Sequence, residues 1–353
     1  MDKRLIKVGI TLGDINGVGP EVTLKALAEN HLLDICIPII YGSAKVVGYY
    51  KKLLGMEQLP ITYIHSADEA MPHRISLVNC CPEEIKVDMG QATAEAGAMA
   101  YQALRCATDE WKEGRLDAIV TAPINKSTIQ NEAFSFPGHT EFFGRECDAT
   151  PLMVLMSEQL RVALVTNHTP VSKLADEISP ALILEKLQIL NRSLKEDFGI
   201  ISPRIAVLAL NPHAGDNGLL GIEEQTIITP AIKAAVEEGI CCVGPFSADG
   251  FFGAGTYNKY DAILAMYHDQ GLAPFKVISM DEGINVTAGL TIVRTAPDHG
   301  TAYNLVGKNI ASHSSMLHAI YQAIDIVRQR EFHAEIHSNP LVINQNPNDN
   351  KPS

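Results

Sequence analysis

Positive charge is in short supply in this chain: 28 Lys and Arg face 41 Asp and Glu, for a formal net charge of −13. With no basic stripe to neutralise phosphates and release counterions, nucleic acid is excluded as a partner. A phosphorylated small molecule is not excluded, because a few cations in a cleft can set a local field against the global charge. The seven cysteines, Cys36, Cys80, Cys81, Cys106, Cys147, Cys241 and Cys242, form an odd set with no C-x-x-C spacing. They read as buried or incidental thiols of a reducing compartment. No apolar run reaches membrane-spanning length, and the stretch before Asp14 is too short for a signal-peptide core, so a cytoplasmic protein with no membrane partner is expected. The glycine-rich turn from Gly13 to Gly19 lacks the G-x-G-x-x-G spacing, so the dinucleotide-binding fingerprint is missing, and no internal repeat is evident.

What the chain does have is an aliphatic interior. Hydrophobic residues make up 46% and aromatics only 6% of its 353 residues, a balance that suits a soluble α/β protein of two domains or one large one. Short apolar runs alternate with amphipathic stretches, the signature of parallel strands covered by helices. Strands are expected near 5–11, 36–41, 75–79, 117–121, 152–156, 161–166, 204–209, 261–266 and 289–294. Helices are expected near 20–30, 43–54, 92–112, 179–197, 222–239 and 312–329, the first opening on Pro20 and Glu21. The polar, proline-rich tail 338–353 is expected to be mobile.

Three histidines, His168, His213 and His268, each follow an apolar run that reads as a buried strand. Open α/β sheets bind ligands outside the carboxyl ends of their strands. A single such histidine is more often structural than a ligand. Three in one context point to a catalytic divalent-metal site with an open position, since imidazole suits zinc and related ions.

Other segments border the same kind of run. The turn around Gly13 reads first as a tight strand-to-helix connection, and otherwise as the rim of a cleft. Lys126 follows a buried strand, and His139 and Thr140 open a helix whose backbone N–H groups suit an anion; Thr140 reads equally well as a cap. Asp269, Lys276, Asn285 and Arg294 supply an acid, a point charge, an amide and a planar fork for an anionic substrate, unless the two cations merely form surface ion pairs. His299 reads as a loop histidine. These residues alone describe a metal-dependent enzyme acting on an anionic small molecule. A hydrolase, an aldolase and a non-enzymatic metal-binding protein all stay open.

Taken in order, Gly-His139-Thr140-Glu-Phe-Phe, Thr-Asn-His168, Leu-Asn-Pro-His213-Ala-Gly, Ala-Met-Tyr-His268-Asp-Gln-Gly, Gly-Ile-Asn285-Val-Thr, Arg294-Thr and Asp-His299-Gly-Thr-Ala resemble the 4-hydroxythreonine-4-phosphate dehydrogenase family over residues 5–330. The resemblance implies two α/β/α domains flanking a cleft, like the isocitrate and isopropylmalate dehydrogenases. Residues 1–125 plus 295–335 would form the first domain, and 126–294 the second with the dimer contact. It implies oxidation of 4-phosphooxy-threonine by NAD or NADP on the way to pyridoxal phosphate, with dehydrogenation of a related phosphosugar acid as the alternative. It also implies a homodimer whose subunits share a zinc, magnesium or cobalt site of His168, His213 and His268. On the same basis His139, Thr140, Lys276, Asn285 and Arg294 would contact substrate, and His299, Gly300, Thr301 and Ala302 would form the cofactor loop. Asp269, orienting a histidine or taking a proton, and Lys126, transferring a proton, are the catalytic candidates.

Overall fold

In a computed structural model of the chain, residues 4–82, 84–130, 134–279 and 282–338 are described. The tail from 339 onward, for which mobility is expected, lies outside them. Twelve strands join one sheet: β1 (Ile6–Thr11), β2 (Cys36–Gly42), β3 (Ile61–Ile64), β4 (Ile75–Asn79), β5 (Ala118–Thr121), β6 (Leu152–Met156), β7 (Arg161–Leu164), β8 (Ile205–Leu208), β9 (Cys242–Phe246), β10 (Ala262–Ala265), β11 (Ile284–Ala288) and β12 (Val293–Pro297). Their spatial order is β3-β4-β2-β1-β5-β12-β11-β6-β7-β10-β8-β9.

The pairing directions locate the site. From β3 to β12 every pair is parallel, and from β7 to β9 every pair is parallel again. Between them β12–β11, β11–β6 and β6–β7 are all antiparallel. Three reversals leave the two parallel blocks running in opposite directions. The carboxyl ends of β5 and β12 therefore lie at the opposite sheet edge from those of β7, β8 and β10.

The apolar runs explain the strands: β2, β5, β6, β8 and β10 are buried at every position, the mark of strands covered on both faces. Three strands escape the apolar pattern: the short exposed β3, the Gly244- and Pro245-containing β9, and β11. Of the stretch 289–294, expected as one strand, 289–292 is a turn and 293–294 open β12. Gly289 there has a left-handed φ of +84°, and the preceding strand is β11, whose Ile-Asn-Val-Thr-Ala mixes polar and apolar residues. Arg294 consequently stands near the start of β12 rather than at the end of a strand.

Helices α1 (Gly19–Leu27), α2 (Ala44–Leu53), α3 (Ala94–Lys112), α4 (Lys126–Ile129), α5 (His139–Glu146), α6 (Pro180–Glu196), α7 (Thr229–Glu237), α8 (His268–Ser279) and α9 (Ser314–His337) cover the sheet. Several begin where a hydroxyl can cap: Thr93 Oγ1 accepts from Ala96 N at 3.2 Å and Ser179 Oγ accepts from Leu182 N at 3.2 Å. On one face a single core runs across both blocks, joining Val8 and Ile10 of β1 to Val154 of β6, Val207 of β8 and Ile320 of α9. The other face carries two separate cores. Ile39, Leu104 and Phe142 belong to one; Leu155, Ile263 and Phe275 belong to the other.

Candidate active site

A cavity of about 300 Å³ opens at the gap between those two cores. A larger hollow of about 510 Å³ lies beside Arg192 and His333, with one imidazole where this cavity has four. Its floor is the reversed part of the sheet, where Leu155 of β6, Asn285 of β11 and Ala296 of β12 stand in register. The two parallel blocks supply its walls.

Each wall is aimed by burial of the element that carries it. In α5, Phe142 and Phe143 are buried in one core, which turns the first-turn residues His139, Thr140 and Glu141 into the cavity. In α8, Phe275 anchors the helix to the second core, and His268, Leu272 and Lys276 line the cavity at four-residue intervals on one face. Lys126 opens the short α4, capped by Asn125, whose Oδ1 accepts from Ser127 N at 2.9 Å and from Ser127 Oγ at 2.7 Å. Asn125 Nδ2 donates to the Tyr303 hydroxyl at 2.9 Å, and Tyr303 donates to Asp14 Oδ2 at 2.6 Å. The glycine turn after β1, α4 and the loop after β12 are thereby tied together around a buried carboxyl group. Burial raises the pKa of Asp14, opposed by that hydrogen bond from Tyr303.

Arg294 is the most deeply placed cation, 3% exposed. Its Nε and Nη2 donate to Thr121 Oγ1 at 3.1 and 2.6 Å, and Nη1 donates to Thr287 Oγ1 at 3.1 Å. A guanidinium has five N–H groups, so one remains on each terminal nitrogen for a ligand. No carboxylate pairs with it among the described residues, and desolvation lowers its pKa from 12.5 to about 9, opposed by Glu141. His139 is held well below its ordinary value by burial and then by Arg294 and Lys126, so its ring is neutral, and its buried Nε2 has no described partner. Asn285 Oδ1 and His299 Nε2 are likewise buried without one. His299 is oriented by its Nδ1, which donates to the Gly300 carbonyl at 3.0 Å. Three unpartnered polar atoms at one cavity are what a site for a polar ligand requires.

The histidines expected to share a metal do not all meet. The rings of His168 and His268 lie 6.1 Å apart across the cavity. His168 Nε2 accepts from Lys126 Nζ at 3.1 Å, and burial followed by Lys126 lowers its pKa, which favours the neutral, ligating form. His268 Nδ1 contacts Asp269 Oδ1 at 2.7 Å, leaving Nε2 for a ligand. His213 is exposed and outside the cavity, on a turn in which His213, Ala214, Gly215, Asp216 and Asn217 have φ values of 52°, 52°, 78°, 42° and 55°. Buried Glu224 holds the base of this left-handed turn, accepting from Leu210 N at 2.9 Å and from Asn211 N at 2.7 Å. Among the described residues, no group of three or more His, Cys, Asp or Glu can hold a metal ion within one chain. The two imidazoles fit a divalent ion chemically, yet they are an incomplete set.

Of the other expected residues, Lys126, His139, Thr140, Lys276, Asn285, Arg294, His299 and Gly300 line the cavity, whereas Asp269, Thr301 and Ala302 do not. The Asp269 side chain is 86% exposed, so it is placed to orient His268 and not to take a proton inside the cavity. The Thr301 carbonyl instead accepts from Val18 N at 2.9 Å, docking the loop on the glycine turn. The sequence reading assigned no role to Glu141 or Asp298, both of which line the cavity. Each sits directly beside a residue that it did single out.

A family model of the pyridoxal phosphate biosynthetic protein PdxA matches residues 34–323. This chain belongs to the PdxA family. A 4-hydroxythreonine-4-phosphate dehydrogenase of Bacteroides thetaiotaomicron is 54% identical over 343 residues, covering 97% of this chain and 94% of the relative. A relative from Oceanobacillus iheyensis, 37% identical over 92% of this chain and 99% of its own, is provisionally named a D-threonate 4-phosphate dehydrogenase. The crystal structure of a 4-hydroxythreonine-4-phosphate dehydrogenase from Klebsiella pneumoniae superposes with a TM-score of 0.78 at 34% identity, covering 93% of this chain and 99% of that one. PdxA membership thus extends over both blocks of the sheet and the cavity between them. Among the described residues, no helix is long and apolar enough to cross a membrane.

Proposed function

We propose that this chain oxidises the C3 hydroxyl of 4-phosphooxy-L-threonine with NAD or NADP, giving 2-amino-3-oxo-4-phosphooxybutanoate, which loses carbon dioxide to leave 3-amino-2-oxopropyl phosphate. The observation that carries this reading is the meeting of Arg294, Lys276, Lys126 and neutral His139 with two imidazoles in one small cavity. The remaining fork of Arg294 suits one anionic group, phosphate or carboxylate, and Lys276 acts as a point charge on the other.

A divalent zinc, magnesium or cobalt ion held by His168 and His268, with His213 supplied by a second copy of the chain, would act as a Lewis acid that favours loss of the hydroxyl proton and stabilises the enolate formed on decarboxylation. A nicotinamide held against the loop 299–302 would supply the acceptor for the C3 hydride. Lys126 stands within hydrogen-bond reach of His168 and is the proposed proton-transfer residue. Neutral His139 donates from its ring without adding charge. Asp269 holds His268 in one orientation through Nδ1.

The test is reduction of NAD by the purified homodimer with a divalent metal, using 4-phosphooxy-L-threonine and, separately, 4-phospho-D-threonate and 4-phospho-D-erythronate. Turnover of the amino substrate is expected. Turnover of the sugar acids alone would transfer the assignment to the phosphosugar-acid reading, and turnover without a nicotinamide cofactor would make the protein a hydrolase or aldolase.

A further inference from the structure

A substrate of this kind brings two anionic groups and one cation, the protonated amine on C2. The cavity answers the anions with Lys126, Lys276 and Arg294. For the cation, the described lining offers two carboxylates, Asp298 and Glu141. Asp298 is already engaged, with its Oδ2 3.7 Å from Lys276 Nζ and its carbonyl 3.5 Å from the same nitrogen. Burial also raises its pKa, which weakens it as a partner for a cation. Glu141 is not engaged in this way. No described residue forms an ion pair or a side-chain hydrogen bond with its carboxylate.

Two neighbours locate it. A Cβ built on Gly138 would stand 3.5 Å from Glu141 Oε2 and 4.0 Å from Lys126 Nζ, so the carboxylate and the ammonium flank that glycine. The carboxylate is also close enough to Arg294 and His168 to perturb both electrostatically. A negative charge is thus kept at the mouth of a cavity built mainly for anions, without being consumed by any cation there. Asn285 Oδ1 is a further free acceptor, but a neutral amide oxygen accepts from an ammonium or a hydroxyl alike and cannot distinguish them by charge.

We infer that Glu141 receives the protonated C2 amine and sets the preference of this enzyme for the amino acid over the corresponding hydroxy acid. The inference rests on the substrate reading given above. A charge-assisted hydrogen bond to an ammonium is replaced by a neutral one when the partner is a hydroxyl, a difference of about ten- to a hundred-fold in affinity.

The experiment measures kcat/KM of the homodimer, with NAD and metal, for 4-phosphooxy-L-threonine and 4-phospho-D-threonate in wild type, Glu141→Gln and Glu141→Asp. The ratio of the two values should fall about ten- to a hundred-fold in Glu141→Gln and stay within a few-fold of wild type in Glu141→Asp, which keeps the charge. Melting temperatures report whether each variant is folded, and Glu141→Ala replaces the Gln variant if that one is not. Proportional loss on both substrates, or an unchanged ratio, overturns the role of Glu141 and leaves the substrate reading standing. A wild-type enzyme that oxidises only the hydroxy acid overturns both.

Discussion

Replacing Arg294 by Met should make the ligand-free protein more stable while destroying its function. The guanidinium is buried against two threonine hydroxyls with no carboxylate paired to it among the described residues, and its pKa is lowered to about 9 because the charged form is desolvated. At about 1.4 kcal/mol per pKa unit, the charge costs the free enzyme roughly 5 kcal/mol at neutral pH. Removing it strands the Thr121 and Thr287 hydroxyls, which returns about 1–3 kcal/mol. The difference, a net gain of about 2–4 kcal/mol, corresponds to a rise in Tm of a few degrees. The sign with pH follows from linkage: the folded pKa lies below the unfolded one, so between about 9 and 12.5 the unfolded state binds more protons and wild-type stability rises with pH. The advantage of Arg294→Met should therefore be constant below pH about 9 and shrink above it. Thermal melts with and without inorganic phosphate supply the assay, because a ligand at about a hundred times its Kd adds about 2.7 kcal/mol to wild type and should add almost nothing to the variant. An Arg294→Met protein that melts below wild type without ligand, or that gains as much from phosphate, would refute the account.

Further perturbations test the framework around the cavity. Gly97→Ala would place a Cβ 2.0 Å from the Thr128 carbonyl oxygen, so α4 must shift; a loss of about 1–3 kcal/mol in melts, with a fall in kcat, is expected. Tyr303→Phe removes the donor that holds the Asp14 carboxylate in a buried site, at a cost of about 1–3 kcal/mol. Because burial already raises the Asp14 pKa, that loss should grow as pH rises through the carboxyl range, and pH-dependent melts check the direction. His213→Ala alters an exposed residue and should leave Tm within about 2 °C of wild type while abolishing metal-dependent turnover; retained turnover would remove His213 from the proposed metal site.

Much of the sheet is legible because its strands are buried on both faces and so appear as unbroken apolar runs. The β11 strand breaks that pattern for a functional reason: Asn285 and Thr287 point polar groups at the cavity and at Arg294, which leaves the segment looking like a loop. Most candidate binding residues are legible from position alone, since each borders an apolar run. Their distances are not, because the walls come from blocks that run in opposite directions and are joined by strand reversals far apart in sequence. Which of the three histidines stands apart was hidden for a more local reason. Four non-glycine residues adopt left-handed dihedrals there, against their intrinsic preference, and Glu224 eleven residues downstream holds the base of the turn.

The unequal cores have a mechanical consequence. On the back of the sheet one uninterrupted apolar layer crosses from block to block, while on the front the layer is cut in two at the cavity. Such a body resists sliding at the back but can flex at the front, with β11 and β6 as the axis. A small rotation there would carry α5 and Lys126 toward α8, changing the span between His139 and His268. Asn285, rooted in the axis itself, would scarcely move.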